Sequence, residues 1–537
     1  MTVPQEQPLG HRARFLTITK PSIGPKELQR LGNDRRAVVA LHHSRIPLDW
    51  RCQVERKRHP MESHEIGDGA SRHSAHDARR FEPWRPNQSK PPLHARGRSV
   101  PDARPIRPAL PVRAPWRNSI ATGCAYIVFT LIYGVLFIMF DKAPAQNDGA
   151  NQWLRALQVA SGQIRAIPNP ADPSQFGGLD AAGHFQPFNN TAAYSPFLYF
   201  PSLLGTGNYM TASIMTLVSC ALITGFAIAI SAELSSLLAI SALLPTAFLS
   251  YVFPTADAVT NAIAFLFIGF VFMLRRSTRH RHWVLLGLTI AAFFLGCTKP
   301  TSLALLIILP LGIAPHTVAP SAITPPAKGK AAEYAALAFP ALCAVIPALL
   351  WQHAVRMIAP GAKSLSKMSG ISHQLMAHPW LLVRTIIKSL VNPLNHSVES
   401  VDNIGRNVEL AVGSQDTMLP LTIMAPILLA FVLVGLQTAH QLNLRVPEKL
   451  TAFASVAVFF SLICLAMILI WVGKLGGYAE GMQGRYFVPC LPLVMLFMPT
   501  AGMHAQDSAR LNRIVAALIA ITYIGMFVAH MIPANIH

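Results

Sequence analysis

Long apolar runs alternate with short charged connections through most of this chain. The runs fall at 119–140, 210–230, 235–253, 258–274, 283–296, 301–315, 333–353, 419–438, 451–472, 486–501 and 514–532. Several exceed the roughly 18 apolar residues that mark a membrane-crossing helix. The pattern predicts an all-α polytopic membrane protein with about 11 transmembrane helices, in a range of about 10–12. The runs on either side of Thr298-Lys299-Pro300 are short. They fit a hairpin or a single interrupted span, and the second arrangement inverts every later orientation.

Two stretches carry a different period. In 149–166, Trp153, Leu157, Ala160 and Ile164 recur at steps of four, three and four, while Arg155, Gln158 and Gln163 point elsewhere. That spacing predicts an amphipathic helix lying at the membrane surface. A second interfacial helix is expected from His378 to Leu394, with Trp380, Leu381, Ile386, Ile387 and Leu390 as its apolar members. A loop rich in Pro, Gly and Asp over 168–190 follows the first of these helices. Residues 1–118 contain no long apolar run and are rich in Arg, His, Pro and Ser. Such a segment buries too little surface to offset its ordering entropy, which predicts a disordered basic tail. With no apolar core near its start, it is not a signal peptide. It reads either as a basic arm for anionic headgroups or nucleic acid, or as an inert tail or translated upstream sequence. The domain division is therefore a tail over 1–118 and a transmembrane domain over 119–537.

Composition agrees with the pattern. The chain is 52% hydrophobic and 13% charged, about half the charged fraction of a soluble domain. Its net charge of +20 would suggest nucleic acid in a soluble protein, but the charge is unevenly placed. The tail holds 23 of the 45 Lys and Arg against 11 of the 25 acids. Arg104, Arg107, Arg113 and Arg117 immediately precede the first span, which favours a cytoplasmic N-terminus. From that start, the short inside loops carry Arg275 to Arg281, Lys328 with Lys330, Arg445 with Lys449, and Arg510 with Arg513. The longer segments 141–209 and 354–418 then fall outside. The seven cysteines form no CxxC pair and read as small core residues.

Three positions stand out as candidate chemistry. Asp148 follows the first span within a few residues. A carboxylate there suits a general base, or a solvated loop. Lys299 lies between two apolar runs, where a charge marks a site or a pair, or snorkels to the interface. Arg485 opens a span on the expected outside face, within Glu480-Gly481-Met482-Gln483-Gly484-Arg485-Tyr486-Phe487-Val488-Pro489. Its guanidinium suits a phosphate, or serves as an anchor beside Tyr486 in an aromatic belt. Tyr194-Ser195-Pro196 and the Asp257 and Asn261 pair near Pro254 are further candidates, each also readable as a turn. No G-x-S-x-G, H-E-x-x-H, Walker or dinucleotide fingerprint is present, so soluble phosphoryl and hydride chemistry is unsupported.

Read in order, these pieces resemble a known pattern. Asp148 is followed by Arg155-Ala156-Leu157-Gln158 and Gly162; then come Tyr194, Pro196, Tyr199, Pro201 and Gly205. Next are Pro254, Asp257-Ala258 and Asn261-Ala262, then Lys299, and finally Gln483-Gly484-Arg485-Tyr486-Phe487 with Pro489. The whole resembles the bacterial predicted-membrane-protein family, domain of unknown function 2142, over roughly 119–500. That family is similar in layout to the type C glycosyltransferases, which take sugars from polyprenyl-phosphate carriers. The resemblance implies that Asp148 is the catalytic acid-base group, and that Lys299 and Arg485 engage the carrier phosphate. Arg155, Tyr194, Asp257, Asn261, Gln483 and Tyr486 complete the implied substrate site. The family commonly reads Asp-Glu-x-x-His at the first loop. Here Gly149 and Gln152 take the Glu and His places, so the sequence does not support a bound divalent cation and no cofactor is expected. The expected partners are a lipid-linked sugar donor and membrane lipids, without nucleic acid, in a bacterial inner membrane. A flippase or transporter of a lipid-linked sugar, and a non-catalytic envelope-assembly subunit, are the competing functions.

Overall fold

The computed structural model describes residues 115–140, 149–180, 182–189, 191–205, 207–277, 280–313, 327–358, 365–391, 421–470, 475–477, 479, 484–498 and 507–531. The tail expected over 1–118 lies outside these residues apart from its last four positions, as do Asp148 and Gln483.

The fold is mostly helical. Its helices are α1 (Pro115–Phe140), α2 (Gly149–Ala160), α3 (Phe200–Leu203), α4 (Tyr209–Ile230), α5 (Ser235–Ala242), α6 (Pro245–Tyr251), α7 (Ala256–Arg276) and α8 (Arg281–Gly296). They continue with α9 (Ala327–Ala354), α10 (Leu365–Ala377), α11 (Trp380–Val391), α12 (Leu421–Leu442), α13 (Val446–Ile470), α14 (Leu491–Leu496) and α15 (Asp507–Met531). Among the described residues four 3₁₀ segments, Pro196–Tyr199, Ala232–Leu234, Pro300–Gly312 and Gly484–Cys490, interrupt the series. Among the described residues, seven helices are long and apolar enough to cross a membrane, and the bent pair α5–α6 would make an eighth. The expected spans at 283–296, 301–315 and 486–501 are shorter apolar elements.

The run 235–253, expected as one span, is broken. Pro245 occupies the first turn of α6 and pushes Leu244 to an extended conformation (ψ 134°), so the two halves meet at 79°. A break in an apolar bundle leaves carbonyls without helical donors. The Tyr523 hydroxyl of α15 donates to the Leu243 carbonyl at 2.8 Å, and the Tyr133 hydroxyl donates to the Tyr523 carbonyl at 2.7 Å.

Helix α7 is the centre of the bundle: 83% of its apolar window is buried, against 22–28% for α1, α9 and α15. It packs against α4, α8 and the 3₁₀ segments Pro300–Gly312 and Gly484–Cys490. Close approach depends on small residues. A Cβ on Gly269 would meet the Ala227 carbonyl of α4, and one on Gly225 would meet Ile127 of α1.

The two readings around Lys299 are now resolved by contacts at both ends of α7. Lys299 lies beside Asp257, at the start of α7, while the Leu311 carbonyl accepts from Arg275, near its end, at 3.2 Å. Helix α8 therefore runs up along α7 and Pro300–Gly312 runs back down, a hairpin with Lys299 at its tip. The limbs match in length. Sixteen residues of α-helix rise about 24 Å, and thirteen of 3₁₀ about 26 Å. The base of this hairpin is rich in ion pairs: Arg275 with Glu448 at 2.7 Å, Arg276 with Glu233 at 3.0 Å, and Arg281 with Glu333 at 3.9 Å.

At the Lys299 end, α2 and a small antiparallel sheet form a cap. The sheet order is β1 (Ile167–Pro168), β2 (Phe176–Leu179), β3 (Phe185–Pro187). Phe176 and Phe188 make a second core with Ala166, Ala192, Val355 and Ile358, and Trp351 of α9 donates to the Ala193 carbonyl at 2.9 Å.

Candidate functional site

Helix α2 is amphipathic, and its polar face is the one turned inward. Gln152, Arg155 and Gln158 are buried while Trp153 and Leu157 are half-exposed and Ala160 is exposed. The spacing of apolar residues thus located the outward face of this helix. Each inward polar group has a specific task. Arg155, fully buried, donates to Gln158 Oε1, to the Ile164 carbonyl at 2.6 Å and to the Tyr194 carbonyl at 3.1 Å. Burial pulls its pKa below the usual guanidinium value, with the neighbouring Tyr199 opposing this. Gln158 in turn donates to the carbonyls of Arg165 at 2.9 Å and Gly177 at 3.3 Å, docking the sheet on the helix.

Gln152 ties the cap to the bundle. Its Oε1 accepts from the Tyr199 hydroxyl at 2.6 Å and from the Ala256 amide at 3.3 Å. Burial raises the Tyr199 phenol well above its ordinary pKa, so the hydroxyl remains a donor. The Ala256 amide is one of the orphan donors of a helix N-terminus. Thr255, the N-cap, satisfies another by accepting from the Ala258 amide at 3.3 Å. The first turn of α7 is held from two sides, and Asp257 sits in it.

Asp257 is the hub of the site. One carboxylate oxygen pairs with the Lys299 ammonium; the other faces Arg485 Nε at 3.4 Å. The side chains are 14% exposed for Lys299, 8% for Asp257 and 7% for Arg485, which makes the lysine the most open of the three. The Lys299 ammonium lies 5.0 Å from the ring centroids of both Tyr194 and Tyr486, and the Arg485 guanidinium lies 5.5 Å from the Tyr486 ring. Aromatic faces attract cations most where water is scarce. Three breaks in helical structure bring these groups together. Lys299 is extended (ψ 137°) ahead of Pro300, Arg485 is the second residue of a 3₁₀ segment containing Pro489, and Asp257 follows the turn after α6.

Lys299, Asp257, Arg485, Tyr486 and Tyr194 are therefore neighbours across nearly 300 residues of sequence. Asn261 lies one turn below Asp257, buried, and donates to Ser250 Oγ at 3.2 Å. Arg155 reaches the cluster through the Tyr194 backbone, and its two terminal nitrogens, Nη1 and Nη2, are directed at protein oxygens. Asp148 and Gln483 lie outside the described residues. Sequence reasoning noted Gln152 only as a replacement for a histidine; its bridging role has no local signal, since its partners are 47 and 104 residues away. Asp257, one of the residues that the resemblance assigns to the substrate site, stands between both cations. Among the described residues, no group of three or more His, Cys, Asp or Glu converges as a metal site would require.

The family model described as "Predicted membrane protein (DUF2142)" matches residues 179–494. This range includes Tyr194, Asp257, Lys299 and Arg485, and leaves α1 and α2 before it. Neither a curated protein nor a solved structure gives a significant match.

Proposed function

The chain belongs to the DUF2142 family of predicted membrane proteins, and from that premise we propose that it is a lipid-linked-sugar-dependent glycosyltransferase acting at the outer face of a bacterial inner membrane. The product is an envelope polysaccharide or glycoconjugate. The observation that carries this reading is the Lys299–Asp257–Arg485 cluster walled by Tyr194 and Tyr486 at one end of the bundle. Charge in a membrane protein is costly and marks function. Here it gathers at the two ends of α7, and no charged residue of α7 lies between Asp257 and Arg275, which favours a reacting site at one end over a transport route along the helix.

The orientation follows from charge. The arginines at the opposite end of α7 take the cytoplasmic side under the positive-inside rule, which puts the N-terminus there and Lys299 outside. The donor is a polyprenyl-phosphate sugar. Asp148 removes the proton of an acceptor hydroxyl; that oxygen bonds to the anomeric carbon as the bond to the phosphate oxygen breaks. The lipid phosphate departs with the electron pair, and Lys299 and Arg485 stabilise the charge developing on it. Arg155, Gln483 and Asn261 support the substrate pocket.

The test is transfer from a labelled polyprenyl-phosphate sugar by the full-length protein in lipid nanodiscs. The Asp148→Asn variant should lose transfer by about 100-fold or more, the range of a general base. Undiminished transfer would remove Asp148 from the mechanism. Transport of the intact donor without transfer would support the flippase reading.

A further inference from the structure

Asp257 occupies both cations assigned above to the substrate phosphate. A carboxylate and a phosphate offer these donors the same thing, two anionic oxygens in a fixed fork. An incoming phosphate therefore meets Lys299 and Arg485 already partly neutralised, and it meets a fixed negative charge among them. Two opposing effects decide which anions such a place accepts. The attraction from the protein grows in proportion to the ligand's charge, whereas the penalty for removing that ligand from water grows faster, roughly as its square. Lowering the positive potential shifts the preferred ligand toward smaller charge.

We propose that Asp257 is a specificity-determining residue that sets the charge of the phosphate the site takes, favouring a singly charged phosphodiester over a doubly charged monoester or a diphosphate. The inference rests on the lipid-phosphate reading of Lys299 and Arg485. Its geometric basis is the ion pair of one carboxylate oxygen with Lys299 and the 3.4 Å approach of the other to Arg485. The carboxylate belongs to the first turn of α7, fixed by Thr255 and by Gln152, so it cannot swing away as a surface acid would. The tyrosine rings on either side of the ammonium further limit how far a phosphate can move from Asp257.

The experiment uses full-length protein in phosphatidylcholine nanodiscs at pH 8, with two probes of one chain type: dicitronellyl phosphate, with one charge, and citronellyl phosphate, with close to two. The readout is the ratio of the two dissociation constants. Asp257→Asn should move the ratio toward the monoester by about tenfold to a hundredfold, the scale of one charge at close range in a partly buried site. Lys299→Gln should move it the opposite way, and the Asp257→Asn/Lys299→Gln pair should return it near the wild-type value. If Asp257→Asn alone fails to fold, the difference in ratio between Lys299→Gln and the Asp257→Asn/Lys299→Gln pair reads the same carboxylate, and equal ratios in those two variants overturn its role. A ratio that stays constant across the variants while both affinities change overturns the charge-setting role and leaves phosphate binding intact. If neither probe binds the wild type, or Lys299→Gln changes neither affinity, the phosphate reading falls, and this one with it.

Discussion

Gln152→Leu tests how the cap is joined to the bundle. Leucine is close in size to glutamine and fits the same buried position, but it offers no acceptor. Two donors then lose their partner: the Tyr199 hydroxyl at 2.6 Å, on a residue that is 1% exposed, and the Ala256 amide at 3.3 Å. A buried donor left unsatisfied costs about 1–3 kcal/mol. The amide bond is long and contributes toward the low end, so the sum is about 2–4 kcal/mol. Tyr199→Phe removes the other partner of the shorter bond and leaves Gln152 still accepting from Ala256, so it should cost about 1 kcal/mol. The double variant should be more stable than the two losses predict, by about 1–2 kcal/mol, because only the Ala256 amide, and no longer the Tyr199 hydroxyl, is then left without an acceptor. Stability can be read from denaturant titrations in detergent with a thiol-reactive dye, since Cys220, Cys464 and Cys490 are buried and free. A Gln152→Leu loss below about 0.5 kcal/mol, or additive single losses, would refute the bridging role. The bridge also reaches function. Without it the first turn of α7 is held only by Thr255, and Asp257 loses its fixed place between Lys299 and Arg485.

Two further outcomes follow from the cap. Arg155→Met should cost about 3 kcal/mol or more in the same assay by leaving three oxygen acceptors unmatched, and Arg155→Lys should recover only part of this, because an ammonium cannot reproduce the guanidinium fork. The sheet should loosen in acid. Asp180 accepts from the His184 and Ala182 amides and from Gln186, and Asp172 from Ser174, which holds both carboxylates below their ordinary pKa of 3.8. A depressed pKa contributes stability that is complete above the unfolded value and disappears as pH falls through the folded one. Amide exchange over 167–187, corrected for its intrinsic pH dependence, should therefore rise below about pH 3.8 and remain flat between 5 and 8. Asp180→Asn should show faster exchange already at pH 7, and a variant as protected as the wild type would contradict the assignment.

Much of the site was legible before any coordinates. Lys299 and Arg485 are conspicuous because a charge inside or beside an apolar run needs a reason, Tyr194 and Asp257 because prolines break the pattern next to them, and Tyr486 as the aromatic neighbour of Arg485. Their pairing was not legible. Nothing in the row of residues says that the carboxylate at 257 answers the cations at 299 and 485. Two short apolar runs around Lys299 also look alike whether they form a hairpin or one span; only the contact of Leu311 with Arg275 separates the two.

The sequence by itself determined the class of molecule, most of the helices long and apolar enough to cross a membrane, and the outward face of α2. These depend on the cost of exposing backbone and polar groups to lipid, which every residue reports locally. Tertiary structure alone decided what the polar residues do. It turned Arg155 and Gln158 into internal clamps and made Gln152 a bridge between cap and core. It also set Asp257 between two cations. The reason is that a buried polar group is defined by its partner, and here the partners are supplied by breaks in distant helices that only the packed bundle brings together.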